Sequence, residues 1–204
     1  MSDAEMSKEE IKTLRDSVRD FVTKELDRDT VLEIDMPKTP LPLDKVKKGG
    51  DLGYLSLIVP EADGGEGLDL EGFSVVMEEL AKGSAGVANI FLVHNVAEIP
   101  LILKIKNRKM RDQFLIPLVK SVKSERPKLA TVIFPFQQAF SLRKEGERYI
   151  LSGGGDFVFN ASNAELFTIF FETDDEIQCF AVPTSKGRVL VREIYELGLH
   201  ASRM

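Results

Sequence analysis

The chain has 204 residues, 43% of them hydrophobic, with 33 acidic against 27 basic side chains, which excludes extended disorder and collagen-like repetition and allows one large domain or two small ones. A formal charge of -6 without a basic stripe argues against a partner bound through a nucleic-acid phosphate backbone. The single cysteine, Cys179, cannot close an internal disulfide, so a cytoplasmic setting is the expectation.

Met1 to Lys12 is charged throughout and lacks the apolar core of a secretory signal. Ile11, Leu14, Val18, Phe21 and Val22 recur at helical spacing behind Ser7 and Glu10, which predicts a capping box and a helix from about Lys8 to Leu26. A connector with Pro37, Pro40 and Pro42 follows, then a short helix around Asp44 to Lys48 that Gly49 and Gly50 are expected to end. Its Lys45, Lys47 and Lys48 read as a solvated face. Gly64-Gly65-Glu66-Gly67 reads as a turn, and Asp69 as the cap of a helix through Phe73, Val76, Met77 and Leu80 that stops at Gly83. Ala85 to Ile105 reads as a long apolar helix, broken at Pro100; Asn89, His94, Asn95 and Glu98 within it favour a buried helix over a membrane span. Asn107 to Lys120 closes the helical part, with Met110, Phe114, Leu115 and Leu118 on one side.

Near Ser121 to Lys128 the pattern changes from helical to strand-like. Strands are predicted at Leu129 to Phe134, Tyr149 to Ser152, Phe157 to Phe159, Leu166 to Glu172, Ile177 to Val182 and Val189 to Ile194. The turns between them, Glu145-Gly146-Glu147, Thr173 to Glu176 and Thr184 to Gly187, predict antiparallel pairing. The expected class is α+β: an all-α helical bundle over residues 1–122, then an incomplete antiparallel β-barrel-like domain over 123–204.

No phosphate loop, metal-ligand spacing or nucleophile elbow stands out, and no metal ligand is nominated. His94 reads as a satisfied core histidine and His200 supports no role. Glu78 and Glu79 point about 100° apart on a helix, so they read as a solvated flank and not as an acid/base pair. Gly153-Gly154-Gly155 lies between strands and reads as a bulge or a close backbone approach.

Several segments in order resemble the acyl-CoA dehydrogenase family. They are Leu14 to Val22; Leu52-Gly53-Tyr54 through Pro60-Glu61 with Gly64-Gly65-Glu66-Gly67-Leu68-Asp69; Glu78 to Ala81; Val93-His94-Asn95; and Arg111 to Leu118. Further on, Gly146 to Gly153, Ile177 to Val182 and Leu197 to Ser202 resemble parts of its middle β domain. The resemblance implies an oxidoreductase of fatty acid metabolism in which FAD takes hydride from an acyl-CoA substrate, a glutamate removes the α-proton, and an electron-transfer flavoprotein reoxidises the flavin. It also implies that the flavin contacts fall at Val132 and Ile133, in the segment Ile133-Phe134-Pro135, and at Phe157 and Phe159, in Phe157-Val158-Phe159.

The departures from the family pattern cluster at those positions. Ile133 and Phe159 stand where the family has threonine, Phe134 replaces an acid, the loop after Pro135 is short, and Gly154 stands for a lysine. The sequence stops at Met204, within what resembles the middle domain, and no catalytic residue can be nominated. Three readings stay open: a truncated portion or one half of a two-chain flavoenzyme, inactive alone, whose partner chain carries the C-terminal domain; a non-catalytic scaffold or interaction module with a degenerate flavin site; and an acyl-thioester binder with Ile90, Phe91, Val93 and Leu101 lining the slot.

Overall fold

The computed structural model describes residues 6–36, 39–122, 124–134, 138–172, 177–186, 189–192, 194 and 199–202. Helix α1 spans Lys8–Glu25, and its capping box forms as expected, with Ser7 N donating to Glu10 Oε2 at 2.8 Å and Glu10 N donating to Ser7 Oγ at 3.3 Å. A short helix α2, Arg28–Ile34, was not legible in the sequence; Asp27 caps it through Thr30 N at 2.8 Å.

Helix α3, Leu43–Asp51, runs through both glycines instead of ending at them. Their role is close packing: a Cβ on Gly49 would meet the Phe91 ring, and one on Gly50 would lie 2.6 Å from the Val122 carbonyl. The lysine cluster is also less solvated than expected. Lys45 and Lys48 both reach Glu25, at 3.2 and 2.6 Å, and tie α3 to α1.

After the 3₁₀ turn Glu61–Asp63 the chain folds back on itself, with Glu66 N, Gly67 N and Leu68 N donating to the carbonyls of Ser56, Val59 and Leu57. Helix α4, Leu70–Gly83, is capped by Asp69 and packs along α1. Helix α5, Ala85–Leu92, continues through a π-helical turn, Val93–Glu98, into α6, Ile99–Leu103. The expected break at Pro100 is thus a widening of the preceding turn: Pro100 has no N–H to give and its ring crowds the carbonyl one turn back, which a shift in register relieves. The stretch Ala85–Leu103 is long and apolar enough to cross a membrane by length and composition alone. Helix α7, Arg108–Ser121, buries Leu115 and Leu118 as predicted, whereas Met110 is exposed.

The strands are β1 (Leu129–Ile133), β2 (Gln138–Glu145), β3 (Arg148–Gly155), β4 (Ala164–Glu172) and β5 (Ile177–Pro183). They form a three-stranded sheet in the order β1-β4-β5 and a β2–β3 hairpin. The α+β class holds and the described residues form no closed barrel, but the antiparallel expectation fails at β1, which pairs in parallel with β4. Turn residues report only on the strands they join, and the long connection from β1 to β4 is a crossover. Strand β2 was not predicted. Phe157 to Phe159 is not a strand because Phe157 (φ 55) and Asn160 (φ 60) both take left-handed backbone. The described residues of Val189 to Ile194 lie outside any strand, and the turn at Thr173 to Glu176 falls outside the described residues. Gly153 to Gly155 continue the regular register opposite Phe140 to Gln138, so the expected bulge is not present, and at Gly154 a Cβ would meet nothing, so no close approach requires that glycine.

Three apolar clusters hold these elements together. The largest joins α1, α3, α4 and α5 with Tyr54, Leu55 and Leu57; the second joins α6 and α7 to Ala130 and Leu166; the third gathers Ile133, Val158, Phe167 and Phe171 under the hairpin.

Candidate functional site

The segments carrying the predicted flavin contacts are brought together although 28 residues separate their joining atoms: Thr131 Oγ1 donates to the Phe159 carbonyl at 2.6 Å. Strand β1 supplies Val132 and Ile133, both buried, with Ile133 in the apolar cluster beside Val158. Phe159 is half-buried, and Phe157 is 60% exposed. Phe134 stacks on Phe170 with ring centroids 5.8 Å apart and planes 9° apart.

Strand β1 is an outer strand among the described residues, so one edge of it lies outside the ladder, although its residues are buried. On that edge Ala130 N donates to His94 Nδ1 at 3.1 Å, and strand alternation turns Val132 N–H the same way. Asn160, fully buried, donates from Nδ2 to the Ile90 carbonyl at 3.0 Å and from its main chain to the Ser202 carbonyl at 2.8 Å. Its Oδ1 is buried without a hydrogen-bond partner among the described residues. The region therefore offers main-chain donors, a vacant carbonyl acceptor and exposed aromatic surface, but no side-chain hydroxyl at position 133 or 159. These groups fit a planar heteroaromatic ring held through backbone and face contacts.

His94 is a core histidine, as expected from sequence. It also hydrogen-bonds the Leu55 backbone, and burial pushes its pKa down to about 4, so it is neutral and unsuited to proton transfer at ordinary pH. Next to it, Asn95 Oδ1 accepts from Leu57 N at 3.0 Å while Nδ2 donates to Tyr54 O at 2.8 Å and Phe91 O at 2.9 Å. The π turn thus aims two adjacent polar side chains at different parts of the fold. Ile90 and Phe91, weighed as acyl-slot residues, are fully buried in the main cluster, and Val93 and Leu101 are half-buried.

Glu78 and Glu79 separate as expected, but only Glu78 is exposed. Glu79 is 2% exposed and paired with Arg15, Arg19 (2.9 Å) and Lys82 (2.8 Å). Burial raises its pKa, but the three cations outweigh it and bring the value down to about 2, which makes Glu79 a structural anion. The signal missed in the sequence is the pair Arg15 and Arg19, one turn apart on α1 and opposite α4. Thr131 and Asn160 were missed as junction residues; a lone hydroxyl in the apolar strand LATVI, and an asparagine after an aromatic run, are the traces they leave. His200 joins the end of α2, its main-chain N donating to Asp35 Oδ1 at 3.1 Å.

Known proteins agree with this architecture. The family model "Acyl-CoA dehydrogenase, N-terminal domain" matches residues 8–121. The mitochondrial short-chain specific acyl-CoA dehydrogenase of Bos taurus is 30% identical over 207 residues, covering 93% of this chain and 48% of that protein. The short-chain specific enzyme of Clostridium acetobutylicum is 29% identical, covering 93% and 52%. A glutaryl-CoA dehydrogenase from Mycobacterium smegmatis, solved in complex with FADH2, has the same fold with a TM-score of 0.80 at 22% identity, over 97% of this chain and 51% of that one. The chain spans about half the length of the curated relatives it matches. By the match over its helical part, this chain belongs to the acyl-CoA dehydrogenase family.

Proposed function

We propose that this chain forms the helical portion and leading β segments of a flavin-dependent oxidoreductase that converts an acyl-CoA thioester to the 2-enoyl-CoA. The single observation that carries this reading is the Thr131–Phe159 junction, which sets the β1 edge beside the Phe157 to Asn160 turn. Val132 would hold FAD through its main chain on the outer edge of β1, with Ile133 next to it, and Phe157 and Phe159 would flank the ring. FAD, when bound, supplies the hydride acceptor. The buried Asn160 carbonyl offers an acceptor next to those residues, and the apolar side chains exclude water. No residue of this chain is assigned as the base. A partner chain with the remaining domain, reoxidation by an electron-transfer flavoprotein and a cytoplasmic setting belong to the same reading.

A second reading, a non-catalytic scaffold, is favoured by one feature: Ile133 is committed to the core and Phe134 to Phe170, so the side chains at the family's polar contact positions serve packing. The visible spectrum of the chain after incubation with FAD and desalting separates the two. A retained flavin band that bleaches with acyl-CoA is the outcome expected for the oxidoreductase. A colourless protein, alone and with a chain carrying the C-terminal domain, would leave the scaffold.

A further inference from the structure

Both segments assigned to the flavin are anchored by one helical element, and each anchor uses a buried side chain. On the first side, His94 in the π turn accepts the Ala130 amide at 3.1 Å, which fixes the outer edge of β1 two residues before Val132. On the second, the Ile90 carbonyl, one turn earlier in α5, accepts Asn160 Nδ2 at 3.0 Å. Asn160 has left-handed backbone at φ 60 and ends the turn that carries Phe157 and Phe159. Thr131–Phe159 closes the third side between the two segments.

We propose that His94 and Asn160 are positioning residues that set the spacing between the β1 edge and the Phe157 to Asn160 turn, and through it the affinity for the flavin ring. The inference rests on the flavin reading above. The two residues have the same work to do from opposite sides. His94 holds the strand by an acceptor, and Asn160 holds the turn by a donor. The positioning acts through His94 Nδ1 and Asn160 Nδ2, and neither of these atoms needs to touch the cofactor. His94 lies in the π turn that directly follows α5, the helix of Ile90, and such turns are frequent at functional sites. Both hydrogen bonds are buried, so losing either partner leaves a main-chain group without water to replace it.

The test uses the full chain with four substitutions. Asn160→Gly keeps the left-handed backbone but removes the bond to Ile90, and Asn160→Ala removes both advantages. His94→Leu removes the acceptor, while His94→Asn places an amide oxygen where Nδ1 was and should restore it. Two readouts are taken: FAD affinity by fluorescence titration, and amide hydrogen exchange of the chain without FAD. Asn160→Gly and His94→Leu should each weaken FAD binding about tenfold. They should speed exchange at residues 130–133 and 158–160 while the β4–β5 pairing around Phe170 and Cys179 keeps its wild-type rate. His94→Asn should return both readouts toward wild type. Unchanged local exchange in Asn160→Gly and His94→Leu would overturn the positioning role whatever FAD does. A wild-type chain that binds FAD, with variants that bind it equally well, would overturn the positioning role alone. A wild-type chain that takes up no FAD would overturn the flavin reading and this role with it.

Discussion

Asn95 Oδ1 accepts the main-chain N–H of Leu57 at 3.0 Å, across 38 residues of sequence. The same side chain serves the carbonyls of Tyr54 and Phe91, so one buried amide fastens the glycine-bearing loop to the apolar helix. Asn95→Ala would take the acceptor from the Leu57 N–H and one donor from each of the Tyr54 and Phe91 carbonyls inside the core. The expected cost is about 2–4 kcal/mol, measured as a fall in the urea midpoint. An unchanged midpoint would show that water reaches these groups.

Glu79 is the counterpart on the other face of the bundle. Replacing it by glutamine keeps the shape but leaves Arg15, Arg19 and Lys82 facing a neutral amide. Removing one member of a buried ionic cluster costs about 3–5 kcal/mol. Because Arg19 and Lys82 are half exposed, about 2 kcal/mol is expected here. Glu78→Gln, on the exposed neighbour, should change stability little, and equal effects of the two substitutions would contradict the assignment.

Stability should fall with acid in two steps. His94 has a folded pKa of about 4, below the ordinary 6.5, so the unfolded chain takes up its proton first. Its contribution is complete above pH 6.5 and is lost as the pH falls toward 4. Glu79, at about 2 against an ordinary 4.5, contributes fully above pH 4.5 and loses that contribution as the pH falls toward 2. The first step amounts to at most about 3.5 kcal/mol, since each pKa unit is worth about 1.4 kcal/mol. His94→Asn should flatten the fall between pH 7 and 5 in urea titrations while leaving the lower step in place.

Gly49→Ala tests the packing of α3. Alanine is the better helix former by about 1 kcal/mol, yet its methyl group would collide with the Phe91 ring and lie 3.2 Å from Tyr54 Cδ2. Overpacking of about 1–3 kcal/mol should win, and the melting temperature should drop. Gly154→Ala enters open space and should be close to neutral. A rise in melting temperature for Gly49→Ala would mean that the Phe91 ring moves aside at little cost.

The sequence by itself determined what local rules govern. Ser7 with Glu10, and Asp69, each cap the helix they were expected to cap, because a capping bond spans three residues and needs nothing from elsewhere. The α+β division was legible for the same reason, since hydrophobic period is a local quantity. The loop from Leu52 to Asp69 also identified the family, because its glycines are required where the chain folds back on Ser56 to Pro60.

What the tertiary structure alone decided are the relations between distant segments. Gly49 and Gly50 looked like a helix end, but they are helical because Phe91 and Val122 leave no room for a side chain. Glu79 looked solvated until α1 placed two arginines on it. Phe157 to Phe159 had the composition of a strand, yet left-handed residues and the bonds from Thr131 and Asn160 hold it as a turn. Parallel pairing of β1 with β4 was equally invisible, since no turn joins them. In each case the deciding energy is burial or a hydrogen bond between residues far apart in the chain, and a local pattern carries no record of it.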